Sequence, residues 1–387
     1  MQTVYLDNAA TTQIDKEVIS SMHESMISNF GNPSSTHAFG RKAKAVVETA
    51  RKSIASLLNV QSANIVFTSG GTEADNMAIS CAVRDLGVKR IISSRIEHHA
   101  VLNCVEFLDS ENKIDLQFVN LDEDGSVDLS HLEILLAEDS PKTLVSLMHI
   151  NNEIGNMLDL KTVGELCHKH GALFHSDTVQ SVGHYEMNLA DLPVDFIAVS
   201  AHKFHGPKGV GFLYAKSRNF LKPLIHGGSQ ERELRAGTES VHNIIGLQKA
   251  MELAYHNLKE DSDYIKDLKI YFIDSLKKEI PGLRFNGHSG DLDKSTYTIV
   301  NVSIPLSSSE SDMMLFQLDL KGIACSKGSA CQSGAQLGSF VLNEVYGEKL
   351  DYPGIRFSFS KFTTKEELDY VISSLKSLAV SKASRKL

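Results

Sequence analysis

Cysteine is scarce in this sequence, and its cysteines form no recognisable motif. Five cysteines in 387 residues, at positions 81, 104, 167, 325 and 331, are too few for the disulfide framework of a small secreted protein. None of them has the CxxC spacing typical of a structural zinc site. The composition favours a reducing compartment, so we expect a cytoplasmic protein without a disulfide or a metal site.

Long apolar runs and an excess of basic residues are also missing. No stretch approaches the ~20 apolar residues of a membrane-spanning helix. The first residues, MQTVYLDNAATT, lack the basic and apolar regions of a signal peptide. The formal net charge is −9, whereas a nucleic-acid surface needs clustered lysine and arginine. We therefore expect no membrane partner and no direct contact with nucleic acid.

Short apolar segments of strand length recur through the first part of the sequence, and helical patterns separate most of them. This alternation predicts βαβ units around a mostly parallel sheet. Helical periodicity is clear over 77–86 and 161–171. The predicted strands are 65–68, 90–94, 144–150, 172–176, 196–200 and 211–215.

The pattern changes beyond about residue 260. A long polar helix over 259–279 precedes strands over 296–304 and 354–360, and a final amphipathic helix follows. We therefore predict a large α/β domain over residues 15–258. Residues 1–14 and 259–387 are predicted to form a smaller α+β domain, which carries the loop around Cys331.

Lys203 is the first candidate for chemistry. In FIAVSAHKFHGPKGVGFLYA it follows a predicted buried strand and precedes a glycine-rich turn. Sites in open α/β sheets form beyond the carboxyl ends of the strands. A lysine that is partly desolvated there can lose its proton and form a Schiff base with an aldehyde cofactor. An ordinary surface lysine is the alternative, so the interpretation depends on companion motifs.

Two companion motifs have the composition of a cofactor site. In SGGTEADN, Gly71 and Thr72 precede a predicted helix whose free N–H groups favour an anion such as a phosphate. In FHSDTVQSVG, Asp177 ends a buried strand, where a pyridinium N–H would satisfy its carboxylate, and Gln180 would reach another polar atom of the ring. The alternatives are a plain capping turn and a buried aspartate that caps the next helix.

A histidine pair in RIEHHAVLN also follows a predicted strand. His98 or His99 could stack on a flat heteroaromatic ring and move protons, although a polar loop is the simpler alternative. A metal site built from His170, His175 and Asp177 is disfavoured. Their spacing mixes a helix end with a strand, and no HExxH motif is present.

Cys331 lies in KGSACQSGAQ, a run of small and polar residues typical of an exposed loop. An accessible thiol can act as a nucleophile, whereas most free cysteines are buried and inert. Cys325 lies in GIACS, which is typical of a strand end, so we favour Cys331. Arg356 in GIRFSFS has the planar fork that suits a substrate carboxylate, and a surface ion pair is its alternative.

These motifs, in this order, resemble those of class I cysteine desulfurases of the iron–sulfur cluster assembly type. The resemblance runs nearly end to end and implies a pyridoxal-phosphate-dependent transferase of fold type I. Its large domain is expected to contain a mostly parallel seven-stranded sheet. The matching segments are YLDNAATT (5–12), FGNPSSTH (30–37), FTSGGTEADN (67–76), EHHAVL (97–102), MHINNEIG (148–155), HSDTVQSVG (175–183), SAHKFHGPKGVG (200–211), ERELRAGTESVHN (231–243), GSAC (328–331) and IRFSFS (355–360).

The resemblance also implies which residues hold the cofactor ring. Lys203 is implied to form the Schiff base with pyridoxal 5'-phosphate, with His98 stacked on the ring. Asp177 is implied to pair with the ring nitrogen. Asn152 and Gln180 are implied to contact its polar substituents.

The phosphate site implied by the resemblance is shared between two subunits. Gly71, Thr72, Ser200 and His202 are implied to bind the phosphate from one chain. Thr238 is implied to reach it from the neighbouring chain. The resemblance therefore implies a homodimer.

The implied reaction takes sulfur from L-cysteine. Arg356, with Asn152, is implied to bind the substrate carboxylate, and Lys203 or His98 to move the Cα proton. Cys331 is implied to accept the sulfur as a persulfide, which leaves L-alanine. Selenocysteine lyase activity and a catalytically silent binding role remain as alternatives.

The expected protein partner is a sulfur acceptor, either a cluster scaffold or a tRNA-thiolation relay. The sequence leaves its identity open. Gln332 stands where the family usually has threonine, and Ser360 stands for glycine. The sequence also ends at Leu387, without the longer tail that many relatives use to dock a scaffold.

Overall fold

The computed structural model describes residues 2–138, 141–217, 221–305, 308–328, 339–347, 352 and 354–383. The helices of this part of the chain are α1 (Lys16–Ser28), α2 (Ala38–Leu57), α3 (Gly71–Leu86), α4 (His99–Ser110), α5 (Leu129–Ala137), α6 (Leu160–Lys169), α7 (Val241–His256), α8 (Leu258–Glu279), α9 (Ser308–Leu320), α10 (Phe340–Tyr346) and α11 (Lys365–Ala383). The strands are β1 (Val4–Tyr5), β2 (Ile65–Thr68), β3 (Arg90–Ser93), β4 (Asp115–Phe118), β5 (Thr143–Ser146), β6 (Leu173–Asp177), β7 (Phe196–Ser200), β8 (Gly211–Ala215), β9 (Arg284–Phe285), β10 (Ile299–Ser303), β11 (Ile323–Ala324) and β12 (Gly354–Ser358).

The largest sheet has seven strands in the order β2-β8-β7-β6-β5-β3-β4. All pairs are parallel except those of β8, which runs antiparallel to β2 and β7. The mostly parallel seven-stranded sheet expected from the sequence is therefore confirmed. Because β2, β3, β5, β6 and β7 run in the same direction, their carboxyl ends meet at one edge.

Both faces of this sheet are buried, which explains the nearly continuous apolar strands. Ile92 and Val145 contact a core that includes residues of α2 and α6, whereas Ile91 and Leu144 contact the opposite core with α3 and α4. Each fully buried aliphatic side chain of this kind contributes about 1.5–3 kcal/mol. The two cores thus fix the sheet register and hold its carboxyl edge rigid.

The carboxyl-terminal part of the chain has its own core. Helices α8 and α11 pack beside the antiparallel sheet β12-β10-β9. β1 pairs in parallel with β11, and Asp7 forms a bridge with Ser358. The amino-terminal segment therefore lies against the carboxyl-terminal sheet before the chain enters α1.

Several predicted boundaries differ from the structure. The strand predicted over 144–150 is Thr143–Ser146 in the structure; beyond it the N–H groups of Leu147 and His149 still donate to carbonyls of β6, whereas that of Met148 donates to the carboxylate of Glu97. The helix predicted from residue 77 begins at Gly71. β4 was not among the individual strands predicted, because it is an edge strand with partly exposed side chains. Among the described residues, no helix has the length and apolar character needed to cross a membrane.

Candidate active site

One cavity lies at the carboxyl edge of the seven-stranded sheet. β6 ends at Asp177, β7 ends at Ser200 and leads into the 3-10 turn Ala201–Lys203, and α3 begins just after β2. The described residues that line the cavity are Ala9, Ala10, Gly71, Thr72, Asp75, His98, Met148, Ile150, Asn152, Asp177, Val179, Gln180, Ser200, His202, Lys203 and Arg356. Most of the residues predicted from separate motifs therefore lie together.

Lys203 is held in the cavity by the amino-terminal segment. Its Nζ donates to the carbonyl oxygens of Ala9 at 2.6 Å and Ala10 at 2.9 Å. The ring nitrogen Nε2 of His184 lies 3.0 Å from the Lys203 carbonyl oxygen and supports the turn from behind. Gln180 Nε2 also donates to the Ala9 carbonyl, at 2.9 Å. The lysine thus has a fixed position at the end of β7.

Asp177 is buried on the floor of the cavity. Its Oδ1 accepts from the N–H of Val179 at 2.9 Å. Burial raises the pKa of this carboxyl group, while His98 and Lys203 act in the opposite direction. A buried carboxylate is stable only beside a cation or strong donors. Asp177 therefore suits a positively charged ring nitrogen.

The start of α3 leaves its backbone open to the cavity. No side chain caps this helix at Gly70, whose φ is 154°. A Cβ at Gly71 would lie 2.6 Å from Cγ2 of Val179, so the close approach requires glycine. The N–H groups of a helix start favour an anion. Gly71 and Thr72 can hold a phosphate here, and Ser200 faces the same turn.

His98 and His202 are both neutral in this environment. Burial lowers the pKa of His98, and burial followed by repulsion from Lys203 lowers the pKa of His202 to about 4. Nδ1 of His98 accepts from the N–H of Ala100 at 3.1 Å, so its proton lies on Nε2. Nδ1 of His202 lies 3.2 Å from Oγ1 of Thr11. His98 is thus oriented as a donor.

Arg356 reaches the cavity from β12. Its side chain is 1% exposed, Nη1 donates to the carbonyl of Asn152 at 2.7 Å, and Nη2 donates to Oδ1 of Asp7 at 2.8 Å. Nε has no hydrogen-bond partner among the described residues. A guanidinium held in this way can present its remaining donor to a substrate carboxylate.

Two predicted site residues are not in this group. Thr238 lies outside the cavity and lines a separate pocket with Phe67, Arg235 and Glu239. Cys331 lies outside the described residues. Cys325 is partly buried, and burial raises the pKa of its thiol to about 12, which disfavours a nucleophilic thiolate there.

Sequence reasoning missed several cavity residues. Ala9 and Ala10 act through backbone carbonyls, which leave no side-chain signal in the sequence. Asp75 lies in the motif SGGTEADN, where the sequence predicts a role only for Gly71 and Thr72. Its signal was the position of an acidic residue on the same helical face as Ala78 and Ile79, which are buried in the core.

The cavity fits pyridoxal phosphate in three respects. Lys203 can bind an aldehyde, the buried Asp177 matches a protonated ring nitrogen, and the glycine start of α3 matches a phosphate. The cavity lining contains one amine, two buried carboxyl groups and an open helix start. Among the described residues, no group of three or more His, Cys, Asp or Glu side chains is arranged to hold a metal ion.

The fold and the cavity define a class of enzyme. The family model of aminotransferase class V matches residues 4–371. The chain therefore belongs to this family, whose members depend on pyridoxal phosphate.

Individual relatives narrow the class. The chain is 41% identical to the cysteine desulfurase IscS of Dictyoglomus turgidum over 96% of this chain and 93% of that protein. It is 39% identical to the putative cysteine desulfurase IscS 1 of Bacillus subtilis, over 95% and 96%. A solved NifS-like protein superposes with a TM-score of 0.88 at 33% identity, covering 97% of this chain and 99% of that one. A structure of SspA in complex with cysteine gives a TM-score of 0.80 at 30% identity, over 94% and 100%. The chain belongs to the cysteine desulfurases within the class V family.

Proposed function

We propose that this chain removes sulfur from L-cysteine, releases L-alanine and keeps the sulfur as a persulfide on Cys331. The main support for the proposal is that one cavity is lined by Lys203, Asp177, His98 and Arg356. This cavity lies in a chain that is 41% identical to a cysteine desulfurase over nearly its whole length.

Pyridoxal phosphate is the proposed cofactor, bound to Lys203. When bound, its protonated ring supplies an electron sink for the bonds broken at the substrate. Asp177 would hold the ring nitrogen, His98 would stack on the ring, and Asn152 and Gln180 would contact its polar substituents. Gly71, Thr72, Ser200 and His202 would bind the phosphate.

In this proposal Lys203 is the residue that moves the Cα proton of the substrate. The Nδ1 of His98 is already an acceptor and its Nε2 carries the proton, so neutral His98 has no free lone pair for a base. Lys203 takes the Cα proton of the substrate and returns a proton to carbon as alanine forms. His98 orients the reacting groups through its Nε2–H.

Arg356 binds the carboxylate of L-cysteine and fixes its orientation. Nη1 and Nη2 are held by Asn152 and Asp7, which keeps the guanidinium plane in place. A fixed fork loses little conformational entropy when the substrate binds. The Cα–H bond is thereby presented to Lys203.

Sulfur transfer to Cys331 balances without an added oxidant. The Cys331 thiolate attacks the substrate sulfur, an S–S bond forms and the substrate C–S bond breaks. The electrons of the broken bond stay with the substrate carbon, which takes up a proton and becomes the methyl group of alanine. One thiol and L-cysteine thus give one persulfide and L-alanine.

The matched variants Cys331→Ala and Cys325→Ala test this function. Alanine formation from cysteine is measured without added thiols. We expect Cys331→Ala to lose turnover and Cys325→Ala to keep it, because the raised pKa of the Cys325 thiol disfavours its thiolate. Undiminished turnover by Cys331→Ala would remove the persulfide role.

The assembly proposed with this function is a cytoplasmic homodimer in which Thr238 completes the phosphate site of the neighbouring subunit. Residues 15–258 form the cofactor-binding domain, and residues 1–14 and 259–387 form the smaller one. The persulfide is passed to an acceptor protein, a cluster scaffold or a tRNA-thiolation relay. Equilibrium sedimentation tests the dimer, and capture of partners on persulfide-loaded protein tests the acceptor.

A further inference from the structure

A second carboxyl group, that of Asp75, lies in the cofactor cavity beside Asp177. Asp75 is on α3, is 1% exposed and lines the cavity. Neither of its carboxyl oxygens forms a hydrogen bond with another described residue. The function proposed above gives Asp75 no role, although an unsatisfied buried carboxylate is costly.

His175 on β6 is the nearest polar partner of Asp75. Its Nε2 lies 3.4 Å from Oδ1 of Asp75, and its Nδ1 lies 2.9 Å from Oγ of Ser146. Both side chains are fully buried between α3 and the sheet. A short chain of polar groups therefore runs from the cavity into the core: Asp75, His175 and Ser146.

The charges around Asp75 determine where its proton lies. Burial and repulsion from Asp177 and Glu97 raise the pKa of Asp75 well above its usual range. Burial alone lowers the pKa of His175 to about 3. Both shifts disfavour the ion pair and favour two neutral groups. A protonated Asp75 can then donate to Nε2 of His175, which lies 3.4 Å away, and Nδ1–H of His175 can donate to Ser146.

The other titratable groups near Asp75 do not reverse this assignment. Glu97 is itself buried, and burial raises the pKa of its carboxyl group. The thiol of Cys104 on α4 has a pKa raised to about 11, mainly by burial, so it is neutral. His98 and Lys203 act on Asp177, which is the carboxyl group that they face.

We propose that Asp75 and His175 form a neutral, hydrogen-bonded pair that leaves Asp177 as the single ionised carboxylate among the described residues that line the cavity. Asp75 is thus a positioning residue for Asp177 in cofactor binding. This role rests on the proposed function. A second negative charge at Asp75 would repel Asp177 and force it to take up a proton. The pair prevents this and keeps one charge for the ring nitrogen.

The same substitution at the two carboxyl groups separates their roles. Asn is neutral and isosteric with a carboxylic acid, and its NH₂ can donate to His175 as the acid does. We expect Asp75→Asn to change the dissociation constant of pyridoxal phosphate from the apoprotein by less than about threefold. Asp177→Asn should weaken binding by about tenfold or more, because it removes a charge-assisted hydrogen bond. Equal losses in both variants would overturn the proposal.

Infrared difference spectroscopy of the apoprotein shows directly whether the carboxyl group of Asp75 is protonated. At pH 7 the wild type should show the carbonyl stretch of a neutral carboxylic acid that Asp75→Asn lacks. Labelling with [¹³C]aspartate distinguishes this band from that of Glu97. Its absence in the wild type would show an ionised Asp75 and overturn the pair.

His175→Gln gives a second route that does not depend on folding of the Asp75 variant. Replacing the imidazole acceptor with an amide should shift the Asp75 carbonyl band, and an unchanged band would show that His175 is not its partner. These infrared outcomes do not require activity. A wild-type protein that binds no pyridoxal phosphate would instead contradict the proposed function.

Discussion

Nη2 of Arg356 donates to Oδ1 of Asp7 across 2.8 Å, and the hydroxyl of Ser326 donates to the same oxygen across 2.8 Å. The backbone of Ser326 also exchanges hydrogen bonds with that of Arg356, at 2.7 and 3.2 Å. The amino-terminal segment therefore fixes the arginine that we assign to the substrate carboxylate. Lys203 is fixed by the same segment, through Ala9 and Ala10.

Arg356→Lys should impair substrate binding while the protein stays folded. A lysine has one point charge and cannot donate to Asn152, Asp7 and a carboxylate in one plane. We expect the KM for L-cysteine to rise by about tenfold or more, which corresponds to ~1.4 kcal/mol. Steady-state kinetics measure the change. Arg90→Lys is the matched control, because Arg90 is also buried but bonds Thr143 and Glu138 away from the cavity. A similar rise in both variants would contradict the assignment.

Lys203→Ala should abolish covalent attachment of the cofactor. Borohydride reduction of the wild type with pyridoxal phosphate should add a pyridoxyl mass to the peptide that contains Lys203. The variant should lack this mass, because Lys203 is the lysine among the described residues that lines the cavity. Lys208→Ala, a change of an exposed lysine five residues away, should keep it. A reduced adduct on another lysine of the wild type would refute this role.

Glu231→Gln should destabilise the protein strongly. The carboxylate of Glu231 accepts from Nη1 and Nη2 of Arg51 at 2.7 and 2.9 Å, and from the N–H of Phe67 at 2.9 Å. Both side chains are 3% exposed. Removing one partner of such a buried pair costs about 3–5 kcal/mol, since the other charge stays buried.

A matched change on the same arginine gives the control. Glu48 also pairs with Arg51, but its side chain is 31% exposed, so Glu48→Gln should cost less than about 1 kcal/mol. The denaturant midpoints of both variants measure the difference. Equal midpoints would show that the Arg51–Glu231 pair does not stabilise the fold.

The sheet and the assembly of the site were largely predictable. Strands at 196–200 and 211–215 have the predicted bounds, because each is a short apolar run that is buried along its whole length and has polar or glycine-rich segments at its ends. Lys203 and Gly71 follow β7 and β2, and Asp177 ends β6; the parallel direction of these three strands brings their ends together. The alternation of short apolar strands with helices along the sequence was enough to predict this part of the fold and of the site.

The contacts made by backbone and buried acids were not predictable. Nothing in the sequence shows that the carbonyls of Ala9 and Ala10 accept from Lys203, because those contacts depend on a long-range return of the chain. Asp75 was missed for a different reason. Its burial is stable only with a proton and a partner on strand β6, which is distant in the sequence, and the local sequence shows neither.

His205→Asn should make the stability less sensitive to acid. Nδ1 of His205 donates to the carbonyl of Gln13 at 2.8 Å, and an asparagine NH₂ occupies nearly the same place. Asparagine also tolerates the φ of 66° at this position. Burial lowers the pKa of His205 to about 4. An unfolded histidine takes up a proton near pH 6.5, so between these values the unfolded state binds more protons, and stability falls as the pH falls.

The difference between the two proteins should therefore grow in favour of the variant as the pH decreases from 7 to 5. The expected slope is about 1.4 kcal/mol per pH unit below pH 6.5. Thermal unfolding midpoints at pH 7, 6 and 5 measure the trend. His226→Asn, a change of an exposed histidine, should leave the pH dependence unchanged. A difference between His205→Asn and the wild type that stays constant with pH would mean that His205 is protonated equally in the folded and unfolded states, and that its burial does not control its charge.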